Sequence, residues 1–475
     1  MIPSISLPHP DLSSRRTQLL LGSVVLAAVV AGIAVQIGLG DLRLALLLAG
    51  FLASPVLIWV ALRWPYIFPY GLYVMLVPFD NMLKIGGSGT LTKLLGILAV
   101  VAIGAHAFVM RRSSAPPRAL WIWIGFLLWT LMGIMWSPDV PAASLLTQTL
   151  ASLVLLYAVL SVAPVDEHDL RTICMFIVLG GVAASVYGMY VIHTSPQMTG
   201  DFGRLMITIG DRTIDPNHFA NSLLAPIALA FVTLTSSRRP AVIFGALVAL
   251  AILLGGVLIS LSREALLGSV IVVAVVIALS RHRIVGALIA LPVLITVPLL
   301  VPAIGQRMAE AFVTGGAGRA SLWHVAWTSI QQKPFFGWGT AGAIDALDSN
   351  FLRVYQAHPS GWVITPHNTP LHVAVELGFI GLGFYVAAFV AAFLMLRVVP
   401  RLDRLWDIRV ALTAALCALV FVGFFIDLES YKYVWLVLVT IAQLRTAVRM
   451  RAPAAVPAAR PEPYVPRPAH RAIGA

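Results

Sequence analysis

The sequence predicts an all-α polytopic membrane protein of about 12–14 transmembrane helices with one large loop, containing short helices, on the non-cytoplasmic side. Three observations predict it. Hydrophobic residues make up 59% of the 475 residues and charged residues only 11%, with a mean hydropathy of +0.92, whereas a soluble domain is about a quarter charged. Apolar runs near the roughly 20 residues that a bilayer crossing needs follow one another along the chain. Arginines recur in alternate connections between those runs, as the positive-inside rule requires.

Fourteen candidate spans follow in order, at about 18–38, 42–62, 66–79, 92–110, 119–136, 143–163, 170–192, 216–236, 240–261, 264–280, 284–303, 370–396, 409–427 and 431–447. The first follows Ser14-Arg15-Arg16 and is read as an uncleaved helix, being long for a signal-peptide core. The third is short and broken by prolines, which admits a re-entrant segment and a total of twelve or thirteen. Arg63, Arg111-Arg112, Arg118, Arg238-Arg239, Arg281, Arg283, Arg397, Arg401, Arg404, Arg409, Arg445, Arg449 and Arg451 then all fall on one side with the N-terminus. Both termini are therefore expected in the cytoplasm. The chain divides into a cytoplasmic stretch 1–17, a helical bundle 18–304, a large periplasmic loop 305–369, closing helices 370–447 and a Pro/Ala/Arg-rich tail 448–475 expected to be disordered.

Several function classes are disfavoured. The formal charge of +12 resides in short loops between spans, so no nucleic-acid partner is implied. Cys174 and Cys417 both lie in apolar runs, which suggests neither a disulfide framework nor a metal cluster. The outside segments hold no His-x-x-x-His pair or tight carboxylate pair, and the chain holds no Gly-Lys-Ser/Thr phosphate loop, so no metal and no cofactor is expected.

The long loop has room for polar chemistry. Residues 320–332 read as a short helix presenting Trp323, Ala326, Trp327 and Ile330 on one face toward the membrane interface. Lys333-Pro334 ends it, Gly337-Trp338-Gly339 turns the chain, and Gly315 to Gly318 form a hinge before it. Thr369 is read as the N-cap of the next span, with Pro370 as its first residue. His367 is the candidate base, because its ordinary pKa of about 6.5 suits proton transfer near neutrality. Taken alone, a histidine there equally caps a helix start, and His324 and His358 read as surface residues. Asn368 reads as shaping the start of the helix. Before the span at 216, either Asp215 or Asn217 suits a cap.

Outside arginines oppose the topological bias and so invite a function. Arg204 and Arg212 lie in the segment 193–215, Arg319 beside the loop helix, and Arg263 between two spans next to Glu264. Arg263 reads equally as a snorkelling hinge paired with Glu264 and as a functional charge within the membrane. An arginine fork binds phosphate bidentately and stays charged, which suits a lipid-linked pyrophosphate.

Four ordered stretches carry a resemblance. They are Asp215-Pro216-Asn217-His218-Phe219-Ala220; Leu261-Ser262-Arg263-Glu264; Gly318-Arg319 with Leu322-Trp323, Lys333-Pro334 and Gly337-Trp338-Gly339; and Pro366-His367-Asn368 with Leu371, Glu376-Leu377-Gly378 and Gly381. Over roughly residues 200–385 the chain resembles the O-antigen ligase/polymerase family of bacterial envelope proteins. The resemblance implies a C-type membrane glycosyltransferase of the bacterial inner membrane, acting at the periplasmic face without metal. It implies a donor glycan on undecaprenyl pyrophosphate and an acceptor that is lipid A core, another glycan or lipid, or a protein. By motif position His367 is its essential histidine and Arg263 its pyrophosphate ligand. Arg204 or Arg212 and Arg319 are further donor contacts, with Asn217, Asn368 and Glu376 supporting. The ligase branch is favoured. A polymerase of lipid-linked repeats is the alternative, and a transporter, with sites near the midplane, the more distant one.

Overall fold

The computed structural model of the protein describes residues 42–80, 84–85, 89–195, 199–200, 204–209, 212–288, 305, 319–356 and 365–451. The expected first span, most of the span at 284–303, the Gly315–Gly318 hinge, His358 and nearly all of the tail lie outside them. The described chain is an all-α bundle. Its helices are α1 (Leu42–Arg63), α2 (Tyr70–Leu76), α3 (Leu91–Met110), α4 (Arg118–Gly133), α5 (Val140–Val162), α6 (Glu167–Thr194), α7 (Pro216–Ser222), α8 (Leu224–Ser236), α9 (Pro240–Ser260), α10 (Arg263–Leu279), α11 (Arg319–Gln332), α12 (Ala343–Tyr355), α13 (Thr369–Leu396), α14 (Trp406–Val422) and α15 (Lys432–Arg451). Three two-stranded antiparallel ribbons sit in the connections: Lys84–Ile85 with Gly89–Thr90, Thr199–Gly200 with Arg204–Leu205, and Ile207–Ile209 with Arg212–Ile214.

Among the described residues, 8 helical segments are long and apolar enough to cross a membrane. Each coincides with an expected span. The expected span at 66–79 is short, as its prolines suggested, and α10 and α14 are 17 residues each, just under a full crossing. Two segments are enclosed by protein: Pro216–Ser236 is 89% buried and Lys432–Arg451 83%, against 28–44% for the other six. That enclosure is why α15 can carry buried Gln443, Thr446 and Arg445, whose polar atoms would be costly against lipid. Helix α8 packs against α6, α9, α10 and α14, and α13 packs against α4, α11 and α15.

Connectivity sorts the helix ends into two groups. Arg445 donates to the Ala115 carbonyl at 3.0 Å, Arg171 to that of Arg404 at 3.0 Å, and Arg281 to that of Asp403 at 3.1 Å. Arg451 pairs with Glu167 and reaches Asp403 at 3.6 Å. Of the arginines expected in alternate loops, Arg281, Arg404, Arg445 and Arg451 therefore meet at one end of the bundle, with Arg171 beside them. The starts of α7, α10, α13 and α15 gather at the opposite end.

Candidate functional site at the end of the bundle opposite the arginine cluster

The site is built on a broken helix. Inside α13, Gly378 has φ 65° and ψ −171°, a conformation essentially confined to glycine. The break releases carbonyls from the helical ladder, and in a membrane span each must find another donor. Trp338 N donates to Val375 O at 2.8 Å, Gly339 N to Glu376 O at 2.9 Å, and Trp129 Nε1 to Leu377 O at 2.9 Å. In return Phe379 N donates to Pro334 O at 2.7 Å. The Lys333-Pro334…Gly337-Trp338-Gly339 stretch is therefore a backbone plug in the break of α13. A Cβ on Gly337 would stand 2.3 Å from Glu376 O, and one on Gly378 2.1 Å from Phe335 O, so neither position accepts a side chain.

Helix α11 begins one residue before the expected 320–332, and the expected face packs only in part. Val325, Ala326, Ser329 and Ile330 are buried, against Ala343, Ala346 and Leu347 of α12 and Ala374 and Val375 of α13. Trp327 is half-exposed, and Trp323 turns to donate from Nε1 to Pro366 O at 3.0 Å. Of the expected face, Ala326 and Ile330 are buried while Trp327 stays open; the packed stripe also takes in Val325 and Ser329, because α12, a helix the sequence reading did not locate, covers that side.

Pro366 leads into His367, which has φ 46°. A non-glycine residue there is uncommon, histidine being one of the types enriched in it, and such conformations concentrate at functional sites. Asn368, not Thr369, is the N-cap of α13: its Oδ1 accepts from Leu371 N at 3.0 Å. Thr369 is already helical and fixes the neighbouring turn, its Oγ1 donating to Ile426 O at 2.7 Å and accepting from Leu428 N at 3.0 Å. Asn368 Nδ2 donates to Phe424 O at 3.1 Å and Asn368 N to Asp427 Oδ1 at 3.0 Å. Asn368 and Thr369, the two residues after His367, are thus held by the turn 423–431 between α14 and α15, from a distant part of the sequence.

Beneath it lies a buried ionisable cluster that sequence reasoning missed. His372 Nε2 is 3.2 Å from Glu376 Oε1, and its Nδ1 is 3.4 Å from Asp427 and 3.5 Å from Glu429. Burial raises the Asp427 carboxyl, but the charge of His372, its hydrogen bond, the charge of His367 and the Asn368 N–H outweigh it and hold it below its ordinary value. Glu429 is pushed up to about 7 by burial, helped by Asp427 and opposed by His372. One trace was legible: His372 and Glu376 stand at i, i+4, neighbours on a helix.

The arginines approach from other helices. Arg204 donates from Nε to Ser260 O at 2.8 Å and from Nη2 to Asn217 Oδ1, so it ties the 199–205 ribbon to α7 and to the end of α9. Asp215 is the cap of α7, accepting from Asn217 N at 2.7 Å, which frees the Asn217 side chain for Arg204. His218 stacks on Tyr431 at 3.6 Å and meets Tyr433 OH at 3.1 Å, tying α7 to the same turn 423–431. Arg263 is the first residue of α10, half-buried beside the Ser262 cap, so it sits at a helix start on this end of the bundle. Glu264 is buried and faces Arg319 at 3.8 Å, so it has an ion-pair partner from the loop helix. Arg319 also lies over Phe425, 6.0 Å from its ring centre. The Arg212 backbone pairs with Ile209; its side chain lies outside the description.

Residues 246–386 match the family model described as O-antigen ligase. Over that stretch the chain is similar to the O-antigen ligase family. The match begins within α9 and runs through Arg263, Arg319, His367 and the break at Gly378. A Rickettsia conorii protein that carries the provisional name polysaccharide ligase is 33% identical over 99 residues, 19% of this chain and 24% of the relative. The alignment thus spans about a quarter of the length of that curated relative.

Proposed function

We propose that the protein is a membrane glycosyltransferase of the O-antigen ligase type. It transfers a glycan from undecaprenyl pyrophosphate to a hydroxyl of an envelope acceptor, at the periplasmic face of the bacterial inner membrane. The observation that carries this reading is convergence. Arg204, Arg263, Arg319 and His367, from separate parts of the chain, belong to helix starts and connections at one end of the bundle.

The donor already carries a good leaving group, so the barrier lies in the charge that develops as its sugar–phosphate bond breaks. Fixed guanidinium groups stabilise that charge without reorganising; Arg263 and Arg204 fill this role, with Arg319 beside them. The acceptor hydroxyl forms the new bond to the anomeric carbon and gives its proton to His367. The pyrophosphate departs with the bonding electrons, and direct attack inverts the anomeric centre. Asp427, which holds the Asn368 N–H and interacts with the charge of His367, stabilises the imidazolium so formed. The basic loops at the other end support the reading that both termini are cytoplasmic.

Deletion of the gene followed by gel analysis of lipid-linked and surface glycans tests the class. Long chains retained on the lipid support the ligase. Single repeats on the lipid indicate a polymerase, and altered solute uptake with normal glycans a transporter. His367→Ala is expected to lower transfer by about 10²–10⁴-fold at unchanged protein level, and Arg263→Lys to be severely impaired because a point charge does not replace the fork. Normal transfer in His367→Ala overturns the assignment of the base.

A further inference from the structure

At the arginine end of the bundle, remote from His367, α6, α8, α9 and α14 leave a groove of about 970 Å³ between them. It is at the large end of the roughly 300–1,000 Å³ typical of small-molecule clefts. The groove reaches the arginine end at Arg171, Arg238 and Arg239, and opens along apolar walls that include Leu179, Val182, Val242 and Val248. The three arginines are exposed. Arg171 is engaged by Glu167 at 2.8 Å and by the Arg404 carbonyl; Arg238 and Arg239 have no ion-pair partner among the described residues. One acid, Asp407, also lines the groove. Ser236, at the polar end, keeps a buried Oγ without a hydrogen-bond partner among the described residues. Midway along, Gly245 faces open space: a Cβ there would meet nothing within 4 Å.

We propose that this groove binds an anionic phospholipid of the leaflet opposite the His367 site, with an acyl chain along the α6–α9 walls past Gly245 and the phosphate against Arg238 and Arg239. Charge complementarity selects this occupant. Apolar walls alone would admit any lipid, but two exposed guanidinium groups at the polar end of a cleft between helices favour a headgroup with net negative charge. The donor is a poorer fit, because its pyrophosphate belongs at the far end of α9, a helix of 21 residues or about 30 Å.

The full chain, purified in mild detergent, is titrated with palmitoyl-oleoyl phosphatidylglycerol or with the phosphatidylcholine of the same chains, and bound lipid is read by native mass spectrometry. Phosphatidylglycerol is expected to be retained preferentially. The double variant Arg238→Gln/Arg239→Gln is expected to bind it roughly tenfold to thirtyfold more weakly while phosphatidylcholine binding is unchanged. Because charge loss in that loop can also disturb insertion, Gly245→Trp is the second variant: it leaves every charge in place, fills the groove and is expected to remove phosphatidylglycerol binding. Equal retention of the two lipids, survival of binding in both variants, competition by inorganic phosphate alone, or displacement by undecaprenyl phosphate would each overturn the proposal.

Discussion

The two ends of the bundle use charge in opposite ways. At the arginine end the ion pairs are open to solvent: the Arg171 side chain is 49% exposed and that of Arg451 33%. At the His367 end His372, Glu376, Asp427 and Glu429 are between 8% and 15% exposed. Exposed pairs of this kind contribute about 0–1 kcal/mol each and link neighbouring loops. Buried ionised groups exist only where partners compensate their desolvation, and losing one partner strands another. The difference teaches where the molecule is brittle: the arginine end tolerates change, and the His367 end does not.

The largest expected effect is at the break in α13. Gly378→Ala places a Cβ 2.1 Å from Phe335 O at φ 65°, adding at least about 1–3 kcal/mol of backbone strain to a steric clash. We expect loss of folded yield and a lowered Tm, and a wild-type Tm would refute the plug. Next, Asp427→Ala removes the acceptor for Asn368 N, and misplacement of His367 is expected to lower transfer about 10²-fold. Asp427→Asn sharpens the result: it retains an acceptor oxygen and loses the charge, so wild-type activity there would confine Asp427 to hydrogen bonding.

A smaller, pH-dependent effect is expected for Glu429. Its folded pKa of about 7 stands above the ordinary 4.5, so the folded state holds a proton that the unfolded chain releases between those values. Stability from this group is therefore full below about pH 4.5 and is lost as pH rises through about 7. Glu429→Gln should gain Tm relative to wild type as pH rises over that window, and a pH-independent difference would contradict it. Asp427, held below its ordinary value, acts in the opposite sense at acidic pH. The smallest effect is expected for Arg451→Ala: within about 1 kcal/mol in stability and none in transfer. A collapse of activity there would break the contrast between the two ends.

Local signals read well from the chain. Pro334 and the glycines at 337 and 339 marked the loop turn, Pro366-His367-Asn368 marked the start of a span, and the Trp323 helix was visible within one residue of its start. The cap of α13 was misassigned by one position because Asn368 and Thr369 are both good caps, and only packing shows that the Thr369 hydroxyl is occupied by the turn 423–431. The role of that turn was illegible. Asp427 and Glu429 lie beyond a whole helical hairpin from His372, and no periodicity links them.

The sequence by itself determined the all-α membrane class, most span positions and the grouping of basic residues in alternate connections. These follow from composition, run length and short motifs, which depend on neighbouring residues alone. Tertiary structure decided that α13 breaks at Gly378 and is filled by a backbone plug. It also decided that Arg204 meets Asn217, and that Asn368 and Thr369, beside His367, bond a turn shared with a buried His372–carboxylate cluster. Those facts depend on which helices pack side by side. Once backbone and charged groups are buried away from water, each must find its partner wherever packing places one.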